Sequence, residues 1–309
     1  MNTQMYKPEG FYAGTEGRES FYSQSALEKA AATGKILEAQ ATLCDSEFSL
    51  YVDLGSMKGK IPKSEAVYQP SGEEVKDIAV ITRVGKTVCF KVLGFALENG
   101  ETVAILSRRE AQRACLLNYL MTLTPGDVVD AQVTHLEPFG AFVDIGCGVI
   151  SLLSIDCISV SRISHPKDRF YPGMHIKAVI RSVDYETSRI CVSHKELLGT
   201  WEENVAAFAI GQTVAGVVRS IEPYGIFVEL TPNLAGLAEF REGVVPGQRA
   251  AVYIKNIIPE KMKVKLVLVD AYSSTVPTDH RIEYFETRTH IDRFVYSPAA
   301  CERRVETNF

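Results

Sequence analysis

One pattern recurs three times along the 309 residues, and it constrains the fold more than any bulk property. The chain reads EFSLYVDL at 47–54, EPFGAFVDI at 137–145 and EPYGIFVEL at 222–230. Each copy is aromatic-x-x-aromatic-Val-acid-Leu/Ile, with ring pairs Phe48 and Tyr51, Phe139 and Phe142, and Tyr224 and Phe227. Upstream of each copy a glycine opens a β-like run. These are Gly34, Gly126 and Gly211, 92 and 85 residues apart. A period of that length is too long for a solenoid unit and suits a small independent domain. The repeats therefore argue for three small domains, where length alone would suggest about two. They also raise a question, because residues three apart in a regular strand point to opposite faces.

The segments between repeats read differently. SALEKAAATG, from Ser25 to Gly34, has a serine start, strong helix formers and a glycine stop. Residues 1–33 are thus an N-terminal arm and short helix. The first repeat spans 34–110, and 111–123 is a linker helix followed by Thr-Pro-Gly at 124–126. The second repeat spans 124–195, and 196–209 is a second linker helix containing Trp201, expected to pack on a barrel. The third repeat spans 210–270, and 271–309 is a C-terminal extension. In that extension weak alternation around Ile282, Tyr284, Ile291 and Val295 predicts a hairpin against the third repeat. Within the second repeat, strands are expected near 127–136, 140–145, 149–154, 174–184 and 188–193. Five short strands in some 70 residues must close or sandwich to bury an apolar face. The expected fold is mainly β: three tandem five-stranded OB-type barrels joined by short helical linkers.

The stretch GDVVDAQVTHLEPFGAFVDIG, followed by RFYPGMHIKAVIRSVDYETSRICVSHKE, resembles an S-one RNA-binding domain of the bacterial ribosomal protein S-one family. The second repeat matches nearly all of the family pattern, with Asp184, Arg189, Ile190 and Ser193 in place. The third matches the first half well, and the first is degenerate. The resemblance covers about 34–270, and the linked array with its KELLGTW junction is closer to the ribosomal protein than to a lone module.

That resemblance implies that both rings of a pair lie on the nucleic-acid face, with the glycine between them letting the backbone kink. Phe139 and Phe142, then Tyr224 and Phe227, then Phe48 and Tyr51, would be stacking platforms, each base contributing about 1–3 kcal/mol. Taken alone, a ring pair in a strand is more often core; the threefold recurrence, the glycine and the basic hairpin favour the binding face. The family's binding-face histidine is replaced by Ser154, Glu239 and Pro62, and the first repeat has Ser49 in place of the glycine. Candidate RNA contacts are Ser154, Lys177, Arg181, Asp184 and Arg189 in the second repeat, and Arg219, Lys255 and Lys263 in the third. The basic residues among them either touch phosphate or are solvated charges. The second repeat is the strongest candidate site, and the first is a candidate docking or spacing module.

The net charge of −5 argues against a long basic stripe but leaves local basic faces open. Seven scattered cysteines, without a CxxC pair, read as reduced thiols. No Walker loop, GxSxG or HExxH is present, and no cofactor or metal is implied; His280, His290 and Cys301 lie in the tail without ligand spacing. No apolar run approaches the ~18 residues of a membrane span and no signal peptide is visible, so a cytoplasmic protein is expected. The expected function is non-enzymatic single-stranded RNA or mRNA binding in translation, with the small ribosomal subunit as a candidate partner. The alternatives are an RNA-degradation or stress-response adaptor, and a protein-interaction scaffold with degenerate barrels.

Overall fold

The computed structural model describes residues 6–11, 22–69, 72, 74–273 and 282–309. The protein is mainly β, and fifteen of its strands form three five-stranded sheets, each closed on itself. Barrel one comprises β1 (Ile36–Cys44), β2 (Leu50–Asp53), β3 (Lys58–Ile61), β4 (Thr87–Glu98) and β5 (Glu101–Ser107). Barrel two comprises β6 (Val128–Glu137), β7 (Gly140–Asp144), β8 (Ile150–Ser154), β9 (His175–Asp184) and β10 (Arg189–Ser193). Barrel three comprises β11 (Thr213–Glu222), β12 (Gly225–Thr231), β13 (Leu234–Ala238), β14 (Arg249–Ile258) and β15 (Lys263–Tyr272).

All three close in the same way. The first strand pairs antiparallel with the second and fourth, and the third meets the fifth in parallel. Alternation makes each core. In barrel two, Val129, Ala131 and Val133 of β6, Ala141 and Val143 of β7, and Ile176, Ala178 and Ile180 of β9 all point inward and are buried. The first strand of each barrel also carries a register break, at Ala41/Leu43, Val133/His135 and Val218/Ser220. Each break lies opposite the second ring of that barrel's pair.

Helix α1 (Gln24–Thr33) is capped by Ser23, whose hydroxyl accepts from the Ala26 N–H, so it starts before the expected Ser25. It buries Leu27 and Ala30 against barrel one and ends at Gly34, with φ 63°. A short helix α2 (Asp77–Ile81) precedes β4. Helix α3 (Arg108–Asn118) follows β5 without a loop, because Ser107 ends the strand and caps the helix by accepting from the Glu110 N–H. The helix therefore starts inside the span assigned to the first repeat.

The junction of barrels one and two is polar and closed by the arm. Arg108 donates to both carboxylate oxygens of Glu9, at 2.6 and 2.9 Å, and to the Ala66 carbonyl at 3.1 Å. Both side chains are almost completely buried. The Glu9 N–H donates to Asp144 at 2.7 Å, and Tyr6 stacks on Tyr119 of the linker. Gly148 is needed here: φ is +78°, and a Cβ would stand 2.1 Å from the Arg108 guanidinium.

The second linker was expected to be a helix over 196–209. It is instead a 3-10 turn, Lys195–Leu198, and a five-residue helix α4 (Trp201–Val205). Gly199, with φ 81°, breaks the two, and the Thr200–Glu203 capping box starts the second. Trp201 is buried in the core of barrel three. The tail also departs from expectation. Its hairpin pairs β16 (Arg293–Val295) with β17 (Glu306–Asn308), while Ile282 and Tyr284 lie against barrel two. Ile291 packs with Val179 and Leu197, so the tail clasps both barrels. His280 lies outside the described residues.

His194 is the pivot of that clasp. Its Nδ1 donates to the Ile158 carbonyl at 2.9 Å, and its Nε2 accepts from the Tyr284 hydroxyl at 3.3 Å. Burial holds the imidazole down at about 4. The folded state thus binds this proton more weakly than the unfolded chain, whose histidine titrates near about 6.5. The neutral ring's contribution is complete above about 6.5 and is lost as pH falls towards about 4, at roughly 1.4 kcal/mol per pH unit. Urea unfolding at neutral and acid pH is expected to show a loss of about 3 kcal/mol from this group. His194→Gln should lose that part of the acid sensitivity; a variant as acid-labile as wild type would place the titration elsewhere.

Candidate nucleic-acid interface

The spacing of the rings is explained by where the strand begins. Phe139 lies in the two-residue turn before β7, and Phe142 lies within it. The first ring is therefore free of strand alternation, and both rings stand on the outside of barrel two. Phe139 is 55% exposed and Phe142 half-buried, with centroids 6.1 Å apart at 89°. Tyr224 and Phe227 repeat this in barrel three, 6.2 Å apart at 90°, with Tyr224 68% exposed. The kink expected at the intervening glycine is not its role. Gly140 and Gly225 allow close strand approach, since a Cβ would come within 2.5 Å of the Leu153 carbonyl oxygen or 2.4 Å of that of Ala238. The bulge sits in the partner strand.

Cross-strand register extends each ring pair into a row. In barrel two it runs His135, Phe142, Leu152, Cys191 and Ser182 across five strands. His135 lies over Phe142 at 6.5 Å and 25°. In barrel three the row is Ser220, Phe227, Leu237, Lys265 and Asn256. His135, Leu152, Leu237 and Lys265 were not singled out from the sequence. Lys265 was readable, because alternation in KVKLV puts it on the same face as Lys263.

The charged candidates separate into two groups. Arg181 occupies the bulge of β9, and Arg189 faces Asp184 across the β9–β10 hairpin; both are exposed beside the row. The Arg181 guanidinium donates to Cys157 Sγ at 2.6 Å, and burial pushes that thiol up. Lys255 holds the matching bulge in β14, and Lys263 faces Ile258. Ser154 pairs with Gly140 beside the rings, but its hydroxyl donates to Asp156.

Three candidates are engaged elsewhere. Asp184 accepts from the Thr187 hydroxyl at 2.6 Å and from the backbone N–H groups of Thr187 and Glu186; the hydroxyl holds its carboxyl low, and the residue closes the turn. Lys177 lies towards the other end of β9, 3.2 Å from Asp130, with its N–H donating to Tyr284 of the tail. Arg219 corrects the expectation of a phosphate contact. Its guanidinium donates to both oxygens of Glu229, at 2.9 and 3.1 Å, and lies 3.4 Å from Asp168. Arg169 reaches the same Glu229 at 2.5 Å, making a buried network that joins barrels two and three.

Barrel one presents a different surface. Lys63 lies over the Phe48 ring at 5.2 Å and Lys60 over Tyr51 at 5.8 Å. Both ammonium groups are already paired, Lys63 with Asp77 at 2.6 Å and Lys60 with Glu98 at 3.0 Å. Leu93 stands in the register break of β4, where the other barrels have Arg181 and Lys255.

Among the described residues no helix is long and apolar enough to cross a membrane. The family described as the S1 RNA binding domain matches residues 122–195. Small ribosomal subunit protein bS1 of Staphylococcus aureus (strain COL) is 32% identical over 281 residues, covering 86% of this chain and 68% of that protein. The bS1 of Staphylococcus haemolyticus (strain JCSC1435) is 29% identical over 287 residues, covering 88% of this chain and 69% of that protein.

Proposed function

Because the chain belongs to the bacterial ribosomal protein bS1 family, we propose that it binds single-stranded RNA in translation, stacking bases on the outer rings of barrels two and three. The observation that carries this reading is the recurrence of the exposed, edge-to-face ring pair on both barrels at matching register. Exposed rings tolerate any base sequence and need few charges, which suits a chain of net charge −5. Barrel two is the stronger site. Barrel three has the exposed Glu239 directly after β13, where barrel two has Ser154, and a carboxylate there disfavours phosphate. Barrel one takes no stacked base in this reading, because paired lysines cover its rings. Messenger RNA in the cytoplasm, with the small ribosomal subunit as partner, is the setting that the family affords.

Salt dependence tests the mechanism. Five exposed cations flank the two rows: Arg181, Arg189, Lys255, Lys263 and Lys265. Counterion release on single strands gives a slope of about −0.7 per phosphate, so log affinity against log salt is expected to fall with a slope of about −3.5. Titrating an unstructured RNA at several salt concentrations measures it. A slope steeper than about −7 would reveal a larger basic surface, and a flat line would remove the phosphate contacts.

A further inference from the structure

Between barrels one and two, beside the arm, lies a cavity of about 380 Å³. Arg83, Lys86 and Thr87 line it from barrel one, and Thr134, Asp144 and Ile150 from barrel two. Its charges do not balance. Glu9 also lines the cavity, but Arg108 holds this carboxylate bidentately, and its ion pair with Arg83 is long, at 3.9 Å. Lys86 makes no ion pair and no side-chain hydrogen bond among the described residues. Asp144 is buried, which raises its carboxyl, and its two oxygens are occupied by the N–H groups of Glu9, Gly146 and Gly148. Lys86 thus faces the cavity without an ion pair among the described residues, and Arg83 has only a long contact to a carboxylate already held by Arg108. Burial, together with a like charge beside each, lowers the pKa of both Arg83 and Lys86.

The cavity adjoins the ring row of barrel two. Ile150, on its wall, lies two residues before Leu152 on the outer side of β8, about 7 Å away along the strand. Thr134, on the opposite wall, donates to the carbonyl of Phe142 itself. A nucleotide next to the one stacked on Phe142 would reach it.

We propose that this cavity receives a backbone phosphate of the RNA strand as it passes from the ring row of barrel two towards barrel one, with Arg83 and Lys86 as cationic contacts and the Thr87 hydroxyl as a donor. The proposal rests on the RNA-binding reading above. It gives barrel one a part in binding without a stacked base.

The test uses the full chain, Lys86→Ala and Lys86→Glu, with oligouridylates of about 4 and about 16 nucleotides, the range of site sizes for a single barrel of this kind. Lys86 is exposed and unpaired, so both variants should melt as wild type does. Lys86→Ala is expected to weaken the long RNA about fivefold at 0.1 M salt and to flatten its salt slope by about 0.7, the effect of one phosphate. Lys86→Glu should weaken it further, and the short RNA should be unaffected. Unchanged affinity and slope for the long RNA, or equal loss for both lengths, would overturn the proposal while leaving the RNA-binding reading in place. If wild type binds neither RNA, that reading fails and this one with it. Uridine 5′-monophosphate provides the remaining arm. Saturable binding of it that Lys86→Glu abolishes, with the long RNA unchanged, would make this a free-nucleotide site and overturn the assignment to RNA.

Discussion

Replacing both Phe139 and Phe142 with alanine is expected to weaken binding of unstructured RNA by about 2–6 kcal/mol, the stacking of two bases. The fold should survive. Neither ring belongs to the buried cluster of barrel two, whose share of β7 is Ala141 and Val143. Binding and urea unfolding must be measured on the same preparation. A double variant that stays folded and binds as tightly as wild type would eliminate the stacking platform. One that unfolds would mean that the rings support the barrel. The matching change at Tyr224 and Phe227 should cost less, because Glu239, directly after β13, would disfavour phosphate there.

The largest effect on stability is expected at Arg108. Truncation to alanine leaves Glu9 buried without its bidentate partner, and breaking a buried pair in this way costs about 3–5 kcal/mol. Glu9 also accepts from the Cys89 N–H at 3.0 Å, so losing the arm uncovers part of barrel one as well. Cys147, whose N–H donates to the Lys7 carbonyl, should then become reactive towards alkylating reagents, since the arm covers it in the native state. Replacing the pair with apolar residues, Glu9→Leu with Arg108→Met, should recover much of the loss, because desolvation of both charges is removed together. An Arg108→Ala protein destabilised by less than about 1 kcal/mol would show that the arm is not anchored there.

The local pattern of barrel two was legible because period-two alternation and turn residues act over a few positions. The strand runs expected near 140–145 and 188–193 correspond to β7 and β10, within a residue at each end. The family was legible for the same reason, as a motif contained in short segments. One linker expectation failed where short-range signals compete. Gly199 and the Thr200 capping box divide what looked like one amphipathic helix.

By itself the sequence determined the alternating strands and the three ring pairs, since these follow from local spacing. What only tertiary structure decided was which of those residues are free to meet a ligand. Phe139 escapes strand alternation because the β6–β7 turn ends at Gly140, and the parallel pairing of β8 with β10 brings Cys191 beside Leu152. Arg219 read as a phosphate contact in its repeat, yet barrel two supplies Asp168 and Arg169 from a loop some fifty residues away and draws it into the Glu229 network. Arg83 and Lys86 carried no motif, and came to face one cavity only when the arm and α3 placed Glu9 against Arg108. Charge pairing depends on distances across the folded chain, and those distances are set by which barrel faces meet.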